Sequence, residues 1–453
     1  MRASFEQLTN PSSPDLPPVV IGAGPMGLAA AAHLVAQGHE PILLEAGHEV
    51  GAGVRSWGHV RMFSPWKHLV DPVARAALEV QGWEAPEPEA LPTGDELVDR
   101  YLKPLAALSG IRQGLRLGQR VVGVSREGRD RARNDSRDRS PFLLQVKEEG
   151  GRLSRLQAQV VLDCSGNFHN PNPLGSSGLP ALGEAALAHR ITYGIPSRRQ
   201  MEREGWMGER ILVVGSGHSA MNALLEIQAM DPGARETRAL WLLRGSGPAE
   251  AGSGDAPDAL SHRDALERRV QGLVASGGVE LVTRFSVERL REQDGGVVLW
   301  DGARRVGPVD RIVAATGARP DFSILRELRL DLDPRLECPR ALAPLIDPDI
   351  HTCETARAHG YAELAHPEPG FFLMGMKSYG RAPGFLLATG YEQIRSVALA
   401  LSGDLEGART KEISAAIQGA CSGGSAGAGH SVTSVPVPMG HSESAGPSGS
   451  CCS

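Results

Sequence analysis

Two stretches of the chain share one hydrophobic pattern: a short apolar run, a glycine-rich turn, an apolar helical run and a second short apolar run. The first fills residues 18–47 and contains VVIGAGPMGLAAAAHLVAQGHEPILLEAG; the second begins at Glu209 with ERILVVGSGHSAMNALLEI and continues to ALWLLRG. Each predicts a strand, a turn, a helix and a strand. Between them, LPTGDELVDRYLKPLAAL (about 90–110) has helical spacing, with Thr93 or Asp95 placed to cap it. Short β-rich runs follow at RVVGVS, FLLQV and QVVLDCSG. The charge-dense REGRDRARNDSRDRS between the first two reads as a solvated hairpin loop and not as a nucleic-acid arm. Strand-like runs resume at VELVTRF, GGVVLW and DRIVAATG, and residues 370–402 predict a strand, a loop and a closing helix. Residues 1–17 form a polar lead-in, and 245–261 a flexible insertion.

Composition narrows the class. A chain of 453 residues with 41% hydrophobic and 22% charged residues can bury several cores. Lys and Arg number 47 against 53 Asp and Glu, a net charge of −6, so there is no basic excess to hold a phosphate backbone. No apolar run approaches the ~18 residues of a membrane span, and the amino terminus lacks the apolar core of a secretory signal. Six cysteines do not make a disulfide scaffold, so a reducing cytoplasm is the default compartment. After about residue 417 the sequence turns Gly/Ser/Ala-rich, which predicts a disordered tail.

The first patterned unit carries Gly22, Gly24 and Gly27 directly after its strand. The first permits a tight turn, the second lets backbone approach a pyrophosphate, and the third lets helix pack on strand. A helix starting near Pro25 and Met26 would aim free N–H groups at the phosphates. Glu45, 18 residues after Gly27, is placed to accept from ribose hydroxyls. An acid there repels a 2′-phosphate, so this site suits FAD or NAD.

The second unit, GSGHSA, repeats the geometry with Gly215, Ser216, Gly217, His218, Ser219 and Ala220. Its second strand ends at Arg244, whose guanidinium can pair with the 2′-phosphate of NADPH; the plainer reading is an exposed strand-end cation. His218 faces the nicotinamide cofactor or solvent. Two such units suit an enzyme that moves hydride from a nicotinamide to a flavin.

The arrangement resembles the flavoproteins with two dinucleotide-binding domains, and most of all class B flavin monooxygenases, over about residues 15–410. GAGPMG with Glu45 resembles their FAD fingerprint and GSGHSA their NADPH fingerprint. VLDCSGNFHNPNP followed by GLPALGEAALAHRITY resembles their linker signature through Gly183, His189 and Tyr193, with Leu182 where Phe is usual and the Gly-to-His spacing two residues longer. AATGARPD resembles the strand-loop returning to the FAD domain. MGMKSYGRAPGFLLATGYEQIRS is faintly similar to flavoproteins encoded beside arsenic-resistance genes.

The resemblance implies an α/β chain with two Rossmann-like, three-layer domains: FAD in 1–205 and 319–416, an inserted NAD(P)H domain in 206–318, and a tail at 417–453. The implied cofactors are FAD and NADPH, with NADH second. The implied partners are a small-molecule substrate and O2, with oligomeric state open. It places Arg55, Trp57, Arg61, Ser64 and Trp66 beneath the flavin, with Ser64 and Lys67 near its reactive N5 edge. The alternatives are core roles for the tryptophans and surface or pyrophosphate roles for the cations. Ser165 and Gly166 end a strand at the cofactor. Thr316, Gly317 and Arg319 line the return, where Arg319 would help hold the nicotinamide. Gly375, Met376 and Lys377, with Thr389, Gly390, Tyr391 and Gln393, would meet the flavin pyrimidine edge; ordinary helix capping is the alternative.

Three activities follow from this pattern. The first is an FAD- and NADPH-dependent monooxygenase in which reduced flavin forms a C4a-(hydro)peroxide and oxygenates a small soft nucleophile at S, N or As(III). It is favoured because neither C-x4-C nor C-x-x-C, the dithiols of thiol-dependent flavin reductases, occurs in the core. The second is a reductase of soft metals or metalloids, with Cys451 and Cys452 as capturing thiolates, similar to the Cys pair ending mercuric reductases; the plainer reading is incidental cysteines. The third is a flavin redox sensor or thiol metallochaperone without turnover.

Overall fold

The computed structural model describes residues 16–134, 136–231, 236–247, 259–351 and 359–410. The expected tail at 417–453 lies outside these residues, as do Cys353, Cys421, Cys451 and Cys452. The fold is the expected α/β class, built on two parallel five-stranded sheets.

The first sheet joins β1 (Val19–Ile21), β2 (Ile42–Leu44), β3 (Leu115–Arg116), β7 (Val161–Asp163) and β16 (Phe371–Leu373) in the order β16-β7-β1-β2-β3. Alternation along β1 sets its layers. Val20 faces a core shared with α1 (Pro25–Ala36), whereas Val19 and Ile21 face a second core under an antiparallel sheet. That sheet is β4 (Arg120–Arg126), β5 (Phe142–Lys147) and β6 (Leu153–Ala158).

The second half repeats the plan. Strands β8 (Ile191–Tyr193), β9 (Arg210–Val214), β10 (Arg238–Leu242), β11 (Val279–Val282) and β15 (Arg311–Ala314) form the order β11-β10-β9-β15-β8. Along β9, Ile211 and Val213 pack toward one core with buried Ala220 and Leu224, while Leu212 and Val214 pack toward another. The antiparallel strands β12 (Arg289–Gln293), β13 (Gly296–Trp300) and β14 (Arg305–Val309) cover that second side. Strands β6, β12 and β14 were not among the expected runs; they are polar on their exposed positions and carry few consecutive apolar residues.

Two findings differ from expectation. Strand β8 lies upstream of residue 206 yet pairs with β15 inside the second sheet. Leu174, Ala181, Leu187 and Ile191 also enter that half's core, so we place the first crossing between halves near residue 173. The chain passes between the halves as two neighbouring strands: Asn172 N donates to Gly317 O at 2.9 Å and Arg319 N to Asn170 O at 3.0 Å. The second difference is the charge-dense hairpin loop. Arg126 is 4% exposed and Arg137 wholly buried, both ion-paired to buried Glu368.

Four further helices matter for the site. They are α2 (Pro72–Glu79), α3 (His218–Met230), α4 (Ala259–Ala275) and α5 (Leu387–Leu401). The helical stretch after residue 93 starts as expected: Thr93 and Glu96 form a reciprocal capping box.

Candidate functional site

Each parallel sheet reverses its strand order beside the strand that precedes a glycine loop, β1 in the first and β9 in the second. Ligand crevices in such sheets lie at the carboxyl ends of the strands at this reversal. At the end of β1 the chain turns through Gly22 with φ +96°; a Cβ there would stand 2.9 Å from the Cys164 carbonyl oxygen, just beyond β7. At the end of β9, Gly215 has φ +136° and a Cβ would stand 2.3 Å from the Ala315 carbonyl oxygen, just beyond β15. The two loops are thus built alike, each pressed against the strand across the reversal.

The other glycines have different reasons. A Cβ on Gly27 would lie 1.8 Å from the Gly22 carbonyl oxygen, so helix and loop pack too closely for a side chain. The second loop has Ala220 at this position, fully buried. Gly24, Gly166 and Gly217 have nothing within 4 Å of an added Cβ. Their freedom is open space above the loops, where a dinucleotide backbone fits. The first N–H groups of α1 and α3 have no intrahelical acceptor and border that space. The residues present therefore fit FAD at the first loop and a nicotinamide nucleotide at the second.

Glu45 braces the first loop from behind. One of its oxygens accepts from Ala23 N and the other from Gly47 N, each at 2.7 Å. Each oxygen keeps a further lone pair for a ribose hydroxyl.

At the carboxyl ends of β7 and β16, sequence reading missed a buried ion pair. Lys377 is 2% exposed; its Nζ donates to Asp163 Oδ2 at 2.7 Å and to Ser165 Oγ at 3.0 Å. Ser165 Oγ in turn donates to Asp163 Oδ1 at 2.6 Å. Asn167 Nδ2 donates to the Met376 and Gly380 carbonyls. Gly375 and Gly390 both press on Met26, with added Cβ atoms at 2.5 Å from its Cγ and 2.3 Å from its Sδ. The fingerprint helix, the turn after β16 and the start of α5 therefore meet at one place.

The remaining expected flavin contacts sort differently. Gln393 points into the turn after β16, accepting from Gly375 N at 2.8 Å and donating to Ser378 Oγ at 2.9 Å. Tyr391 OH donates to Leu69 O at 2.7 Å in the core. Both side chains are buried and bonded within the protein. Arg55 is held by Asp99 at 2.6 Å, Asp95 at 2.7 Å and Glu49 at 3.4 Å. The Asp99 hydrogen bond, opposed by burial and joined by Asp95, holds the guanidinium pKa above its usual value. Lys67 pairs with Glu89 on the surface at 2.8 Å, and Arg61 donates to the Leu91 carbonyl. Trp57 is half-buried against Gly94, and Trp66 is 2% exposed in the core. Ser64 is half-buried, next to Phe63, which packs into the second half.

In the second half, Arg244 is exposed, with one guanidinium N–H on Ser176 O at 3.2 Å. Ser216 on the loop and Ser219 in the first turn of α3 are exposed. Thr316 donates to Asn172 O at 2.6 Å, and Arg319 to Gly178 O at 3.2 Å. The linker-like signature has a packing role. A Cβ on Gly183 would stand 2.3 Å from Leu290 O, and Tyr193 OH donates to buried Glu184 at 2.5 Å, while His189 is exposed. Among the described residues, no group of three or more His, Cys, Asp or Glu is placed to hold a metal ion.

Fold and loops together define a two-dinucleotide-binding-domain oxidoreductase. The family model described as pyridine nucleotide-disulphide oxidoreductase matches residues 16–339, and the chain belongs to that family. Membership implies the use of FAD and a nicotinamide nucleotide. Among curated proteins, the chain is 27% identical over 206 residues to a flavin-containing monooxygenase of Aspergillus flavus, covering 45% of this chain and 48% of that one. It is 28% identical over 213 residues to an indole-3-pyruvate monooxygenase of Oryza sativa subsp. japonica, covering 46% and 44%. The chain thus matches about half the length of these relatives. Among solved structures, a bacillithiol disulfide reductase from Bacillus cereus aligns with TM-score 0.63 at 18% identity, covering 86% of this chain and 99% of that one. A flavin monooxygenase from Stenotrophomonas maltophilia aligns with TM-score 0.53 at 21% identity, covering 86% and 98%. These two likenesses are of fold.

Proposed function

We propose that the chain is an FAD- and NADPH-dependent monooxygenase that oxygenates a small soft nucleophile at sulfur, nitrogen or As(III). The balance is one NADPH, one proton and one O2 consumed, with one oxygen atom placed on the substrate and the other released as water. FAD, when bound, supplies the hydride acceptor and the reaction with O2.

The observation that carries this reading is the pairing of two dinucleotide loops with thiols unfit for redox work. The cysteines among the described residues, Cys164 and Cys338, are both buried and unpaired. Burial pushes the Cys164 thiol well above its ordinary value and the Cys338 thiol up to about 12. Neither is a thiolate near neutral pH, and thiolate is the reactive form. Among the described residues, electrons arriving at a flavin have no dithiol to pass to, which favours O2 as the acceptor. The monooxygenase names of the two curated relatives point the same way.

The residues divide the work. The starts of α1 and α3 hold pyrophosphates through backbone N–H groups. Glu45 orients a ribose, and Arg244, exposed at its strand end, favours NADPH over NADH. Asp163, Ser165 and Lys377 give the flavin site a charge-paired, hydrogen-bonded floor. Phe168 and Met376, 41% and 43% exposed, flank Asn167 and its turn and supply apolar wall for a small substrate. No described helix is long and apolar enough to cross a membrane, and we place the enzyme in the cytoplasm.

The test is to reconstitute with FAD and follow NADPH, O2 and product mass with thioether, amine and arsenite substrates. One oxygen gained per NADPH supports the reading. NADPH oxidation that yields only hydrogen peroxide with every nucleophile, or that runs only with a disulfide, refutes it.

A further inference from the structure

The two nucleotide loops differ at the first helical residue. Pro25 opens α1, whereas His218 opens α3. The imidazole of His218 is wedged between elements from both halves. Its ring lies 5.1 Å from the ring of Phe63, tilted by 59°. Its Nε2 lies 3.4 Å from Glu267 Oε1 on α4. That approach lacks hydrogen-bond alignment. Both His218 Nε2 and Glu267 Oε2 are buried and have no hydrogen-bond partner among the described residues. Glu267 as a whole is 8% exposed. Neighbouring buried orphans of this kind are rare in folded proteins and require an explanation.

The charges around the ring supply one. Arg263 lies 5.4 Å over the Phe63 ring, and Asp264 acts on Glu267 from the same helix. On its own helix, the His218 carbonyl accepts from Asn222 Nδ2 at 2.9 Å. Burial first, and the Arg263 charge second, hold the imidazole pKa below its usual value. Burial first, then Asp264, raise that of the Glu267 carboxyl. The positive end of α3 also disfavours a cation at this position. A docked dinucleotide reverses the balance, because its pyrophosphate brings negative charge to the same helix start.

We propose that His218 is a proton-linked clamp for the nicotinamide nucleotide: it takes a proton from solvent as the pyrophosphate docks, and the new Nε2–H closes onto Glu267. The proposal rests on reading residues 215–220 as the nucleotide loop. Phe63 is a positioning residue. It shields the ring on the flavin side and ties nucleotide occupancy to the segment that carries Ser64.

The sign follows from linkage. The imidazole pKa is low in the free protein and raised in the complex. Affinity therefore rises as pH falls through the interval between the two values, and is flat outside it. The limiting slope is about tenfold per pH unit.

The test uses the flavin-loaded full chain and NADP+, which binds without turnover. Calorimetric titrations from pH 5.5 to 8.5, in buffers of different ionisation enthalpy, give both affinity and protons taken up. The wild type is expected to take up more protons per NADP+ than His218→Gln or His218→Asn, and to lose several-fold more affinity between the pH extremes. The nucleotide's own phosphate ionisation is common to all three proteins and cancels. Glu267→Gln and Phe63→Leu should each shrink the difference. Parallel profiles and equal proton uptake in wild type and both His218 variants overturn the clamp while leaving the nucleotide site standing. No NADP+ binding by the wild type at any pH overturns the nucleotide site, and the clamp with it.

Discussion

Arg137 and Glu368, 231 positions apart in sequence, form a wholly buried ion pair, Nη1 to Oε2 at 2.6 Å. Arg126 reaches the other oxygen at 2.7 Å, and Arg329 N donates to Glu368 at 2.9 Å. One carboxylate thus ties the antiparallel hairpin of the first half to the strand that closes its sheet. A buried triad of this kind does not by itself add stability, because desolvation offsets the attraction, but breaking it exposes the full cost.

Replacing Glu368 by Ala should therefore cost about 3–5 kcal/mol, since two buried guanidinium groups lose their partner. Denaturant unfolding measures it. Replacing Arg126, Arg137 and Glu368 together by apolar residues should cost much less. Burial raises the Glu368 carboxyl pKa, but the two arginines outweigh it and hold the group below its usual 4.5. Its share of stability is therefore present above that pH and lost as pH falls below it; a Glu368→Ala protein should lack this part of the acid transition.

His366 sets a second acid-sensitive step at higher pH. Burial, opposed by Asp331, lowers its pKa from 6.5 to about 4. Folding thus keeps it neutral where the unfolded chain takes up a proton. Stability should fall progressively from about pH 6.5 to about 4, by roughly 3 kcal/mol in the limit. Replacement by Phe should flatten this interval, read from unfolding free energies at intermediate pH.

Gly24 and Gly27 separate cofactor space from packing space. Gly24→Val should leave the fold of the apoprotein intact, because an added Cβ meets nothing within 4 Å, yet abolish flavin retention. Gly27→Val should damage both, because its Cβ would stand 1.8 Å from Gly22 O. Circular dichroism and the visible flavin band read the two effects separately. A Gly24→Val protein that retains full flavin would show that the pyrophosphate lies elsewhere.

Arg244→Ala should raise the KM for NADPH about tenfold and leave that for NADH within about twofold, since a charge-assisted contact to a 2′-phosphate contributes about 1.5 kcal/mol. Added salt should narrow the difference between the nucleotides, because the contact is exposed. Equal losses for both nucleotides would remove Arg244 from cofactor selection.

The two glycine loops were legible because their requirements are local. Backbone angle, helix start and close approach are set by residues within a few positions of one another. Lys377 with Asp163, and Arg137 with Glu368, were not, since their partners stand 214 and 231 positions away and nothing in either segment specifies the other. The charged hairpin looked solvated because charge density alone does not reveal an arginine with a buried partner. Arg55 reads as a flavin contact for the converse reason: its acids, Asp95 and Asp99, lie 40 and 44 positions on. Phe63 gave no signal, because an apolar residue that crosses from one half to the core of the other has the same pattern as one that stays at home.

The paired strands at residues 170–172 and 317–319 have a consequence for how such a chain can change. A unit whose entrance and exit are adjacent hydrogen-bonded residues is a cassette, and removing it leaves two ends that a link of very few residues can rejoin. The front half, so closed, keeps its sheet, Glu45 and the buried lysine, so a cut at this seam spares every contact described at the first glycine loop.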